Sequence, residues 1–297
     1  MTIGTLDPIV LGHNSFFGVN HLSREQGRQR DAIFEDTARI VDMMRTAASL
    51  DVAAMMMSTH PRAALVAAAV RRDPALRERW TFYPLLPYIT KYIRQSNEKG
   101  LVNLVLDQLK QAGWSQSLGM VARSGLGFLT KDYRRILTTL IDLELAPFQS
   151  LRVGTVFLHD VLTDLALALD LPELLAVHVE AVRNRFDARG GFATKNLPLL
   201  VNRLRAYGFE RPAILAQVNK AGFGMNPSRS LCEQTLQRTD LEVMAMGTLA
   251  SGYLRPVEAF EYVFAQPAVQ SIVVSVSTPE HAAETFGAAQ AAARQRV

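Results

Sequence analysis

The sequence predicts an α/β fold, a (β/α)8 TIM barrel with an extra helical insertion between strands 3 and 4, in a single domain over residues 1–297. Three observations predict it. Eight short apolar runs alternate with helix-patterned segments along the chain. The runs are almost continuously apolar, as expected of parallel strands covered on both faces. No GxGxxG turn follows an early strand, which argues against an open doubly wound sheet.

Ile9–Leu11 is the first strand, and 36–50 the first helix, with Ile40, Val41, Met44 and Ala47 on one face. The run 52–57 is the second strand; its Met55, Met56 and Met57 belong to the core. Segment 61–72 starts with a proline in its first helical turn. The third strand is 80–86. The stretch 97–148 is longer than one crossover helix needs and divides into helices near 98–112 and 130–145. Strands 153–158, 190–193, 214–218, 241–245 and 272–276 complete the set. Between them lie an amphipathic helix over 171–186, one carrying Leu199, Leu200 and Leu204, one beginning near Pro256, and one at Pro279 capped by Thr278.

With 48% hydrophobic residues, a chain of 297 residues has ample material for a large core. The net charge of +4 is mild, and the pairs Arg71–Arg72 and Arg134–Arg135 sit in mixed helices, so no nucleic-acid partner is expected. The single Cys232 cannot form an internal disulfide, which fits a reducing compartment. The N-terminus has neither a basic nor a long apolar leader region. The richest apolar stretch, 153–179, is broken by Asp160, Asp164, Asp170 and Glu173. A cytoplasmic location and no membrane partner are expected.

Polar groups collect where the strands end: His13 and Asn14, His60, His159 and Asp160, Lys195 and Asn196, Asn219 and Lys220. In a parallel barrel those ends converge on one mouth. His159 is the leading acid/base candidate, because imidazole exchanges protons near neutral pH. Asp160 either orients it or caps the next helix. His21 and Asn14, in the loop after the first strand, are expected to assist. His13, His60, Asn196 and Asn219 are candidate substrate contacts. Lys195, Lys220 or Arg229 would neutralise an anionic substrate, and a desolvated lysine could instead attack a carbonyl. Three imidazoles suit zinc, yet no HxH or HExxH spacing is present, so no metal is expected. Ser277 and Thr278 open the last helix, where free N–H groups favour an anion or a plain cap.

Several segments resemble the aldo-keto reductases: Phe157-Leu158-His159, Gly191-Phe192-Ala193-Thr194 with Asn196 and Pro198, Ala216-Gln217-Val218, and the runs 245–254 and 274–281. The resemblance spans roughly 153–290. It implies a barrel that uses NADPH to reduce a carbonyl, with His159 catalytic and cofactor phosphate near Thr278. After the second strand the family's Asp and Tyr are replaced by Ser58-Thr59-His60-Pro61, and Met246 stands where the family stacks a ring on nicotinamide. The basic residue expected near Thr278 is absent, and Lys91 is the candidate for the family's lysine. The N-terminal segment 12–23 is similar to uncharacterised reductase-like barrels, through Asn14, Phe16, Gly18 and His21, and implies no activity.

These readings favour a non-redox enzyme, a lyase, isomerase or hydrolase of a small polar or anionic metabolite, with no cofactor. The alternatives are an NADPH-dependent carbonyl reductase, with Lys91 or Tyr88 as proton donor beside His159, and a non-catalytic binding barrel.

Overall fold

The structure, a computed structural model, describes residues 5–19, 23–88 and 133–295. Strand β1 (Ile9–Leu11) leads to helices α1 (Arg24–Ile33) and α2 (Thr37–Ser49). Strand β2 (Ala54–Ser58) is followed by α3 (Pro61–Arg72) and α4 (Pro74–Arg79), then β3 (Thr81–Leu86). Helix α5 (Tyr133–Leu145) precedes β4 (Arg152–Val153), β5 (Thr155–Leu158), α6 (Asp160–Ala168) and α7 (Pro172–Phe186). The chain continues through β6 (Arg189–Thr194), α8 (Leu197–Ala206), β7 (Ala213–Gln217), α9 (Arg229–Leu236) and β8 (Glu242–Met246). It finishes with α10 (Pro256–Phe264), β9 (Val269–Val274) and α11 (Pro279–Arg294).

The strands form a closed eight-stave parallel barrel. The order is β2-β1-β9-β8-β7-β6-β5-β3-β4, and a β2–β3 pairing closes it. Segments β4 and β5 both pair with β3 and are separated only by Gly154, so they make one stave. The registers Leu11↔Met55, Met55↔Phe82 and Leu86↔Leu158 bring the strand ends to a common rim.

Period-2 alternation sorts each strand into an inner and an outer set. Val10, Met56, Tyr83, Phe157, Ala193, Leu215 and Met244 fill the interior. Leu11, Met55, Met57, Phe82, Val156, Leu158 and Ile214 face the helices. The methionine triplet therefore serves both cores, its middle member pointing inward. Each fully buried Leu, Phe or Met contributes about 1.5–3 kcal/mol of transfer free energy. The opposite end is closed by Asp7: its Oδ2 accepts from the Tyr83 hydroxyl (2.6 Å), and its carbonyl accepts from Ser271 Oγ (2.5 Å).

Helix α7 sits hard against β6. A Cβ on Gly190 would lie 2.8 Å from Val179 Cα, so only glycine admits the helix backbone at that height. One residue earlier in α7, buried His178 Nε2 lies 3.1 Å from the carbonyls of both Val156 and Gly191. Carbonyls only accept, so Nε2 carries the proton and stitches α7 to β5 and β6.

Three expectations shift in detail. The last strand begins three residues earlier than the apolar run 272–276, because Val269 already pairs with Val243, while Gln270 and Ser271 break the apolar pattern. Helix α6, hidden in the apolar stretch after His159, is a separate element that starts directly after that residue. The second insertion helix is present as α5, whereas 98–112 lies outside the described residues. Among the described residues no helix is long and apolar enough to cross a membrane.

Candidate active site

The loop after β1 is fixed by Arg62, which donates to the Phe16 carbonyl (2.8 Å) and pairs with Asp31 (2.7 Å). This seats a run of rings at the mouth. His13 lies 5.2 Å from Phe17, Phe17 stacks on His60 at 4.5 Å and 18°, and Tyr88 meets His60 edge-on at 5.0 Å. His13 is buried, and its Nδ1 donates to the Met56 carbonyl (3.2 Å). Burial pushes it down to about 4 against the pull of that bond, and neighbouring His60 and His159 lower it further. At neutral pH His13 is therefore uncharged. His60 caps α3, its Nδ1 accepting from Arg62 N–H (3.1 Å). Asn14 sits half-buried in the turn, its carbonyl accepting from Val19 N–H (2.9 Å).

The other side of the mouth is charged. His159 ends β5 with its backbone N–H on Leu86 O (2.8 Å), and its carbonyl starts α6 by accepting from Thr163 N–H (3.0 Å). Its Nδ1 is 2.5 Å from Asp160 Oδ1, and Val161 N–H lies within reach of both, 3.3 Å and 3.0 Å away. A nitrogen that close to a carboxylate must share a proton with it. Nδ1 is therefore the protonated nitrogen, Val161 N–H falls to Asp160, and Nε2 has no partner among the described residues. Asp160 also holds Lys195 Nζ at 3.2 Å. Burial alone would raise this carboxyl, but the His159 hydrogen bond and charge, with Lys195, hold it down to about 2. Asp164, one turn on, accepts from Thr194 Oγ1 (2.6 Å) and Lys195 N–H (2.9 Å), and burial pushes its carboxyl up.

The structure thus gathers His13, His60, His159, Asp160 and Lys195. The other candidates are engaged locally. Asn196 Oδ1 caps α8 through Leu199 N–H (3.2 Å). Asn219 is fully buried and grips the backbone of Phe223. Lys220 pairs with Glu258 (2.5 Å). Arg229 pairs with Glu233 (2.8 Å), donates to the Lys220 carbonyl (2.5 Å) and lies over the Tyr262 ring (5.2 Å). Thr278 caps α11 through His281 N–H (3.2 Å), and Ser277 is half-buried beside it. His21 and Lys91 lie outside the described residues. Among the described residues no group of three or more His, Cys, Asp or Glu is arranged to hold a metal.

Sequence reasoning missed Glu144, and it named Gln217 only within the reductase-like run Ala216-Gln217-Val218, without a role. Glu144 is buried, its Oε2 accepting from Thr59 Oγ1 and from Tyr88 N–H (3.2 Å), so it ties together the loops after β2 and β3. It shares a helix face with Leu137 and Ile141, and an acid on an apolar face was the available signal. Gln217, the last residue of β7, makes no side-chain hydrogen bond among the described residues, and its Oε1 is buried without a partner. It is flanked by two left-handed glycines. A Cβ on Gly247 (φ +63) would fall 1.9 Å from Gln217 Oε1, and one on Gly224 (φ +69) 3.3 Å from its Cγ.

No protein-family profile and no curated protein matches the sequence. Solved structures do match in fold. A Pseudomonas aeruginosa protein assigned as an aldo-keto reductase superposes with a TM-score of 0.63 at 16% identity, over 97% of this chain and 90% of that one. The chain has the aldo-keto reductase fold. A thermostable aldo-keto reductase in complex with the inhibitor epalrestat matches at TM-score 0.58 and 13% identity, over 98% and 94% of the two chains. An aldo/keto reductase from Klebsiella pneumoniae in complex with NADP and acetate matches at 0.51 and 14%, over 96% and 86%. These neighbours overturn the non-redox reading and the preference for no cofactor. These neighbours are described as aldo-keto reductases, and one is in complex with NADP. The Ser58-Thr59-His60-Pro61 run, Met246 and the missing basic residue near Thr278 are local departures, and they do not outweigh a fold shared over nearly the whole chain.

Proposed function

We infer that this chain is an NADPH-dependent oxidoreductase of small carbonyl compounds, with the nicotinamide end of the cofactor held at Gln217 and proton transfer carried by His159. The observation that supports this reading is the unspent Gln217 amide. A buried amide oxygen without a partner costs about 1–3 kcal/mol, and a carboxamide N–H is the kind of group that relieves it. Two glycines keep that amide clear of Cβ atoms on both sides. The start of α11, just after Ser277 and its cap Thr278, is the positive end of a helix dipole and suits a cofactor phosphate.

NADPH, when bound, would supply the hydride for the carbonyl carbon. The chain supplies the proton. His159 in its imidazolium form donates from Nε2 to the carbonyl oxygen and is left neutral with its proton on Nδ1. The Asp160 carboxylate holds that Nδ1–H and orients the ring, and Lys195 helps keep Asp160 ionised. Neutral His13 and the rings of Phe17, His60 and Tyr88 present a less charged wall for the body of the substrate.

The test is a fluorescence titration of NADPH into the purified protein and into Gln217→Ala. Saturable binding is expected for the parent, weakened about tenfold in the variant by loss of one amide pairing. Absence of saturable binding up to about 1 mM would contradict the reading.

A further inference from the structure

Helix α5 carries a carboxylate where its pattern calls for a core residue. Leu137, Ile141 and Glu144 recur at helical spacing, and all three are buried, Glu144 at 5% exposure. A leucine in that place would add to the core at no electrostatic cost. A buried carboxylate is tolerated only where hydrogen bonds replace its water. Here those bonds lead away from the core, to the rim of the barrel. Glu144 Oε2 accepts from Thr59 Oγ1, in the loop after β2, and from Tyr88 N–H (3.2 Å), in the loop after β3.

Both loops carry a ring of the mouth. Thr59 directly precedes His60, which stacks on Phe17 at 4.5 Å and 18°. Tyr88 meets His60 edge-on at 5.0 Å and 74°. The three rings come from three different loops, after β1, β2 and β3, and rings on separate loops keep set angles only if the loops are held in register. Arg62 ties the Phe17 loop from behind, through the Phe16 carbonyl (2.8 Å) and Asp31 (2.7 Å). Glu144 ties the other two. His60 and Tyr88 are only half-buried, so part of each stays open at the mouth.

We propose that Glu144 is a positioning residue: by holding Thr59 and Tyr88 together it keeps the Phe17, His60 and Tyr88 rings in register, and the mouth thereby prefers carbonyl substrates with a flat aromatic body to short aliphatic ones. The reaction rests on the reductase reading above, whereas the aryl site itself needs only the rings. Glu144 touches no substrate and moves no proton. It orders the wall before the substrate arrives, and such preorganisation adds affinity. Flat ring against ring is the contact that an aliphatic chain cannot reproduce. The wall meets the body of the substrate alike in the ground and transition states, so loosening it raises KM and spares kcat.

The experiment compares the parent with Glu144→Gln, Glu144→Ala and Thr59→Val, using 4-nitrobenzaldehyde and propanal at saturating NADPH. Glu144→Ala is expected to raise KM for 4-nitrobenzaldehyde about tenfold, with kcat and the KM for propanal within about twofold of the parent. Glu144→Gln keeps an oxygen that both donors can reach, and should stay within about threefold. Thr59→Val removes one bond with little change of shape and should raise the same KM about threefold; it decides the matter if Glu144→Ala does not fold. Binding of 4-nitrobenzyl alcohol, followed by proton NMR with and without NADP+, reads the wall without turnover and should weaken in step. A general structural role would raise KM for both aldehydes or lower kcat. Either result, or an equal loss in Glu144→Gln and Glu144→Ala, would overturn the proposal. If the parent binds the alcohol but reduces neither aldehyde, the reductase reading falls and the alcohol affinities alone judge Glu144. If it reduces both aldehydes with equal KM, the reductase reading stands and the proposal falls. A parent that neither binds the alcohol nor reduces an aldehyde would overturn both.

Discussion

At the scale of single residues, the site turns on which nitrogen of each histidine holds the proton. His13 and His159 donate from Nδ1, to a carbonyl and to a carboxylate respectively, whereas His60 accepts at Nδ1. Only His159 combines a charged partner with an Nε2 that has no partner among the described residues. Asp160 fixes the His159 ring from its Nδ1 side. If His159 passes the proton, Asp160→Asn should lower kcat/KM for NADPH-dependent reduction of 4-nitrobenzaldehyde at pH 7 by about tenfold or more, with NADPH affinity unchanged. An unchanged kcat/KM would separate Asp160 from the proton-transfer step and leave it as a helix cap.

At the scale of elements, helix α7 is bound to the barrel by an imidazole that must stay neutral. His178 is buried, and burial pushes it down to about 4 against its two carbonyl bonds. His13 is lowered to about 4 as well. The unfolded chain titrates both near 6.5, so between pH 6.5 and 4 it binds more protons than the folded chain. Stability is then complete above pH 6.5 and falls as pH drops toward 4, by at most about 3 kcal/mol per imidazole. Asp160, held down to about 2, adds a further loss below its unfolded value. Urea denaturation at pH 7 and pH 4.5 should show a marked loss in the parent and a smaller one in His178→Leu. The same pH dependence in both would remove His178 from the cause. The helix register that carries this residue was readable in the sequence, since Leu174, Leu175, His178 and Val182 share a face. Its two strand partners were not, because they depend on how closely α7 meets Gly190.

At the scale of the whole molecule, the closed barrel was legible because eight apolar runs admit few other arrangements. The convergence of His13, His60 and His159 followed from it, each ending a stave. Other parts of the site were hidden for identifiable physical reasons. Glu144 reaches the mouth from α5 in the insertion, a helix whose docking no strand pattern dictates. Asn219, Lys220 and Arg229 lie near strand ends as expected, but their partners, Phe223, Glu258 and Glu233, are set by loop geometry that spacing alone does not encode. The non-redox reading follows from local departures, the Ser58-Thr59-His60-Pro61 run, Met246 and the missing basic residue near Thr278, while the overall barrel, which the reductases share, points elsewhere. The central claim is that a cofactor amide completes the Gln217 end of this barrel within reach of His159. A crystal structure of the protein with NADP+ tests it directly. The account predicts the nicotinamide carboxamide hydrogen-bonded to Gln217, with its ring facing the mouth that His159 lines. Cofactor bound elsewhere, with the Gln217 amide still unpaired, would contradict it.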